Sequence, residues 1–255
     1  MKLRKIIVWI VAILCLGYVG VKVGKKLYKQ YRPLETTVYS DSDNSDENKP
    51  EIYDTKPVSE AYLTGDTSKL SEYDKKIYDK AIEILDRIIE SDMTDYEKEL
   101  AVHDYMVTHI TYETENLGIF KQKSEDSETP YGALCKGKAV CTGYTVTFKM
   151  FMDMLEIPNL IVYAEDADRD DHAWNMVCLD ELWYYVDVTW NDPVPDYDER
   201  IALHKYFNVT EDFLRDNSHC WHTDGLPQAD SIEHSYEKLT GKSEQEKAYE
   251  IQTLY

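Results

Sequence analysis

The sequence predicts an α+β domain, because the chain divides into a helical half followed by a strand half. Apolar residues recur at steps of three and four between 71 and 110, and a cysteine-led apolar stretch from 141 to 155 stops ahead of Pro158. From 160 to 190 the pattern changes to short runs of β-branched and aromatic residues. Helices first and an antiparallel hairpin afterwards is the order of an α+β fold, not of alternating parallel-sheet units. With 255 residues, 43% hydrophobic and 30% charged, there is material for one mid-sized core, which excludes a wholly disordered chain.

Taken in order, residues 6–21 read IIVWIVAILCLGYVGV, free of charge, with Lys2, Arg4 and Lys5 before and Lys22, Lys25, Lys26 and Lys29 after. This is a membrane helix or an uncleaved export signal over 1–32, since no small-residue cleavage site follows the apolar run cleanly. Residues 33–60 include SDSDNSDENKP, an acidic stretch without apolar periodicity that reads as a disordered linker. The domain itself is expected over 61–228. Ile77, Ala81, Leu85, Ile88 and Ile89 mark one amphipathic helix over 71–90. Thr94-Asp-Tyr-Glu97 is a capping box opening a second helix to about 110, and 121–130 is a polar loop. A third helix starts near Cys141 and runs to about Leu155. Strands follow at 160–164, 172–179 and 182–190, the last two joined by the tight turn Asp180-Glu181. Short helices are expected at 198–205 and from a Thr210 cap to Arg215, with a peripheral polar tail over 229–255.

The charge is 28 Lys+Arg against 49 Asp+Glu, a net −21. Eight basic residues and no acid fall within 1–32, so the remainder carries 20 − 49 = −29. Such a body repels nucleic-acid phosphates, which excludes a nucleic-acid role, and it also repels an anionic lipid surface. Five scattered cysteines, at 15, 135, 141, 178 and 220, make no disulfide framework. Thiol chemistry must come from one of them individually.

Cys141 stands in GKAVCTGY at the start of a predicted helix, where unsatisfied N–H groups and the positive end of the helix dipole favour a thiolate. Position alone is a weak argument, because cysteine is among the most often buried residues. The hairpin adds to it. With a two-residue turn at 180–181, opposed residues have numbers summing to 361, which places His172, Trp174, Asp187 and Thr189 on one face, His172 and Asp187 diagonally adjacent. An aspartate orienting a histidine, with a helix-terminal cysteine elsewhere in the chain, supplies the orienter, base and nucleophile of acyl transfer.

GKAVCTGY, DHAWNMV with WYYVDVTWND, and the upstream AVHDYMVTHITYE together resemble the transglutaminase-like superfamily, in its bacterial transglutaminase/protease-like branch, over about residues 95–225. The spacings, 31 residues from Cys141 to His172 and 15 on to Asp187, are compatible with that family. The resemblance implies a papain-like fold with the cysteine helix packed on an antiparallel sheet, and a Cys141–His172–Asp187 triad. It implies a protein or peptide substrate and no cofactor or metal. It leaves open peptide or amide hydrolysis, glutamine amine transfer, and a non-catalytic surface binding module. The backbone N–H of Cys141 is the default oxyanion donor, and Tyr131, Trp174 and Trp190 are candidate cleft residues.

Other motifs carry less. Asp166, Asp168 and Asp170 begin like a calcium loop, but the glycine and glutamate an EF-hand needs are Asp171 and Val177. His219-Cys-Trp-His222 lacks a second ligand cluster and reads as structural or cleft-lining, His103 and His109 as packing residues, and Thr210 of Asn208-Val-Thr210 as a helix cap. Basic residues flank both ends of the apolar run, so charge does not decide its orientation. A short basic-led segment is the form of an export signal, which favours an extracytoplasmic domain on a single-pass anchor, facing cell-wall peptides or surface proteins.

Overall fold

The computed structural model describes residues 52–114, 124, 126–164, 172–192 and 202–241. The apolar run at 6–21 and the aspartates at 166–170 lie outside them. Among the described residues no helix is long and apolar enough to cross a membrane.

Three helices open the domain: α1 (Lys56–Thr64), α2 (Glu72–Ile88) and α3 (Asp95–His109). Ser71 and Thr94 cap α2 and α3, each within a reciprocal capping box that satisfies the first free N–H groups. The linker expected over 33–60 therefore ends too late. Pro57 sits in the first turn of α1, and Val58 and Ala61 bury their side chains in the core, so apolar contact offsets the ordering of a segment that composition marked as polar.

After α3 the chain forms β1 (Thr111–Tyr112), parallel to β2 (Lys138–Ala139), through Thr111 N–H to Gly137 O at 2.8 Å and Glu113 N–H to Ala139 O at 2.9 Å. A π-helical turn at Gly132–Lys136 precedes Gly137, whose φ of 69° suits glycine. This short pair fixes the backbone that enters α4 (Cys141–Met154). The three-stranded antiparallel sheet follows in the order β3 (Asn159–Tyr163), β4 (Ala173–Leu179), β5 (Leu182–Val186). Its registers pair Ile161 with Asn175 and Asn175 with Val186.

The sheet alternates faces as a pleat requires. Val177, Leu179, Tyr184 and Val186 join the core with α4 and the first three helices. Leu160, Val162, Trp174, Met176 and Tyr185 pack instead on Tyr206, Leu214 and Trp221. The third strand was expected to reach 190. It stops at Val186, because Asp187 accepts the Trp190 N–H and caps a single turn, α5 (Val188–Asn191). Residues 202–205 are not helical, and 198–201 lie outside the described residues. Thr210 caps α6 (Glu211–Asp216).

Of the tail expected over 229–255, residues 229–241 are docked on the domain. Ala229 is buried and receives the Glu211 N–H, and α7 (Tyr236–Thr240) lays Tyr236 flat on His204 at 3.8 Å. The ordered domain thus exceeds 61–228 at both ends.

Candidate active site

Cys141 is the first residue of α4 and is nearly buried. Its neighbourhood is set by backbone: Val140 N–H donates to Ser127 O at 3.0 Å, and that carbonyl also crosses Gly143 so closely that a Cβ there would stand 2.2 Å from it. Tyr144, buried below, has its hydroxyl 3.0 Å from Ile110 O and against the Asp192 carboxylate.

Two bonds clamp this helix to the strand that carries the histidine. Thr145 Oγ1 donates to Ala173 O at 2.9 Å, and Asn175 Nδ2 donates to Thr145 O at 3.2 Å. His172 lies one residue before β4, its carbonyl still paired with Ala164 N–H. The clamp holds its strand against the helix that Cys141 begins, and His172 favours ionisation of that thiol.

On its other side, His172 Nε2 donates to Asp187 Oδ2 at 2.6 Å. The pairing foreseen from the hairpin is reached by a different local route, since the ladder ends at Asn175–Val186 and Asp187 belongs to the cap of α5. Asp187 is fully buried. Its Oδ1 accepts Trp190 N–H at 2.9 Å, and its Oδ2 accepts a second imidazole, His219 Nε2, at 2.9 Å. The sequence reads His219 as structural or cleft-lining and not as a partner of the aspartate. In sequence it is one polar member of a mixed run, and no local pattern places it on the carboxylate.

The electrostatics follow from these contacts. Burial would raise the Asp187 carboxyl, but the charge of His172 and the hydrogen bonds from His172 and His219 hold it at about 2. Burial would lower His172, but the Asp187 carboxylate, and then Cys141, raise it to about 10. Burial opposes ionisation of Cys141, yet the hydrogen bond and charge of His172, with backbone N–H groups of Ala173 and Thr142, bring the thiol below its ordinary value. The arrangement favours a thiolate–imidazolium pair held by a buried carboxylate.

Of the three cleft candidates, Trp190 is the exposed one. Its indole is 41% exposed and stands 5.7 Å from the His172 ring and 4.3 Å from that of His219. Trp174 stacks on His172 at 5.5 Å but is fully buried, so it is a packing support and not a cleft wall. Tyr131 lies against Tyr73 at 4.7 Å, with Lys76 and Lys136 over its ring, and contributes to the helical core.

Among the described residues, two groups bring metal-ligating side chains together, His103–Asp104–His204 and His172–Asp187–His219. In the first, Asn191 Oδ1 accepts Tyr206 N–H at 2.9 Å, so its Nδ2 donates to His103 Nε2 at 2.9 Å. The His103 proton is thereby placed on Nδ1, facing Asp104 at 2.9 Å, while His204 Nε2 meets the same carboxylate at 2.6 Å. In the second, both ring nitrogens face one carboxylate oxygen as hydrogen-bond donors. Each group therefore reads as a carboxylate shared between two histidines.

Comparison with known proteins finds the following similarities. Residues 82–188 match the family model of the transglutaminase-like superfamily. Human kyphoscoliosis peptidase is 25% identical over 125 residues, which is 45% of this chain and 18% of that protein; the chain thus spans under a fifth of that relative's length. Among solved structures, the "Crystal structure of a TGase" is 18% identical, covers 55% of this chain and 38% of its own, and has a TM-score of 0.39. The "Putative Cysteine Protease from Cytophaga hutchinsonii" is 16% identical, covers 53% and 43%, and has a TM-score of 0.34.

Proposed function

We propose, from the match of residues 82–188 to the transglutaminase-like family model, that the protein is a cysteine acyl-transfer enzyme acting on peptide or amide carbonyls, with Cys141 as nucleophile, His172 as acid and base, and Asp187 as orienter. The observation that carries this reading is one imidazole bonded at 2.6 Å to a buried carboxylate and favouring ionisation of a thiol at a helix start. The thiolate attacks the carbonyl carbon, forming a C–S bond while the C=O electron pair moves to oxygen. The oxyanion collapses as His172 gives its proton to the departing nitrogen and the C–N bond breaks. His172 then takes a proton from water, which attacks the thioester; the C–S bond breaks and the thiolate returns. Hydrolysis is the preferred outcome, because water resolves an exposed thioester and an amine does so only where an acceptor is bound.

The run at 6–21 tethers the domain as a single-pass anchor, and the domain faces the extracytoplasmic side, towards cell-envelope peptides or proteins. That topology avoids translocating a tail bearing Lys2, Arg4 and Lys5. Protease added to intact protoplasts should digest the domain; digestion only after lysis would overturn the orientation.

The chemistry is tested by alkylating the detergent-solubilised full chain with iodoacetamide at neutral pH. Cys141 should react faster than a free cysteine and faster than the exposed Cys135 and Cys220. Cys141→Ala should keep the fold and lose all thioester formation with peptide esters or amides. Full activity in Cys141→Ala would sink the assignment.

A further inference from the structure

We infer that His219 is a positioning residue of this site, sharing the Asp187 oxygen with His172 and so setting how firmly that carboxylate holds the imidazole. The inference rests on the reading of Cys141 as nucleophile. Asp187 has two oxygens and three N–H donors: Trp190 N on Oδ1, and His172 Nε2 and His219 Nε2 together on Oδ2. Three donors from three segments stop the carboxylate from rotating. The second imidazole also draws negative charge from the one oxygen that holds His172, which makes the His172 proton easier to surrender to a leaving nitrogen.

His219 is built into this place. Its side chain is 1% exposed, against Trp190 at 4.3 Å, the edge of Trp174 at 5.0 Å and Tyr206 at 5.6 Å. Its backbone N–H returns to Leu214 O at 3.1 Å, Ser218 before it takes a φ of 72°, and Nδ1 lies 3.3 Å from Asn217 O. A core aromatic would fill the same space without a donor. The placement of a ring nitrogen on the buried carboxylate is what a packing role leaves unexplained.

Other titratable groups face the site from each packed element among the described residues. Cys141 comes from α4, and Asp187 and Asp192 from the two ends of α5. Tyr206 comes from the segment before α6. Behind α5 stand His103 and Asp104 of α3 with His204, joined to it through Asn191. The side-chain donors to Asp187 are His172 and His219.

The test is the pH dependence of Cys141 alkylation in the full chain. In His219→Phe the alkaline limb, where the imidazolium is lost, should move up by about 0.5–1 pH unit, because Asp187 is left to His172 alone. Amide turnover should fall about tenfold, while His219→Gln, which keeps an N–H donor, should stay within about threefold of the unaltered chain. Should His219→Phe fail to fold, ¹⁵N-histidine NMR of the unaltered chain serves instead. The His219 Nε2 proton should resonate as a protected donor and shift in Asp187→Asn. An alkylation profile identical in His219→Phe, or a His219 proton indifferent to Asp187→Asn, would overturn the inference while leaving Cys141 as nucleophile. A Cys141 that does not alkylate in the unaltered chain removes the underlying reading, and this one with it.

Discussion

Asp187 is the residue on which the site's charge balance turns, because it is the one fully buried member and it answers to two histidines and a helix cap at once. Its folded carboxyl lies below the unfolded value of 3.8, so it adds stability above that value and loses it as pH falls from 3.8 towards 2. In Asp187→Asn the amide oxygen can still accept the Trp190 N–H, but the amide nitrogen would present a donor to donors. The expected result is a loss of about 10²–10⁴ in acyl-enzyme formation, with the Cys141 alkylation profile moving up towards that of a free thiol. Stopped-flow alkylation from pH 5 to 10 measures both. A profile unchanged in Asp187→Asn would mean that the carboxylate serves the α5 turn and not the imidazole.

At the scale of elements, the site is assembled where α4, β4 and α5 begin, and the approach to α4 is the tightest of the three. Gly143 has no room for a side chain, since Ser127 O and the Ala139 Cβ would lie 2.2 Å and 2.9 Å from an added methyl. Gly143→Ala should therefore push the 126–130 segment off the helix start, costing about 1–3 kcal/mol and lowering Cys141 reactivity together. Thermal unfolding and alkylation rate, measured on the same sample, check this; an unchanged melting temperature would show that the segment yields freely. The sequence made much of this level legible. The capping threonine at 94 and the 361 register were readable because side-chain caps and two-residue turns are local; Asp180 and Glu181, at φ 48° and 68°, close the turn that sets the register. The end of β5 was not, because VDVTW has strand composition, and only the tertiary arrangement makes Asp187 a cap. Helix α1 and the docked 229–241 segment were missed for a related reason. Each is polar in composition and ordered by a few apolar contacts that no local pattern announces, such as Val58, Ala61 and Ala229. His219 likewise acquires meaning only when the chain returns to the carboxylate 32 residues away in sequence.

Across the molecule, three polar bonds from α3 join the helical half to the strand half, beside those that leave from α4. His103 meets Asn191, Asp104 meets His204, and Glu99 Oε2 accepts Asn208 Nδ2 at 3.0 Å across 109 residues of chain. The last pair is unusual in leaving Glu99 Oε1 and Asn208 Oδ1 both without a donor. A protonated Glu99 adds a hydrogen where both oxygens lack one, and burial raises its carboxyl to about 8. The folded chain then keeps a proton that the unfolded chain releases above pH 4.5, so this contribution to stability is full below 4.5 and is lost as pH rises to about 8. Glu99→Gln supplies the donor at every pH. It should leave stability near pH 4.5 unchanged and raise it at pH 8 by about 1–3 kcal/mol, the scale of a buried polar group left unsatisfied. Urea unfolding of the two chains at several pH values between 4.5 and 8.5 gives the comparison. Curves that run parallel over that range would mean that Glu99 is ionised in the folded protein, and that the link between the two halves is a charged one.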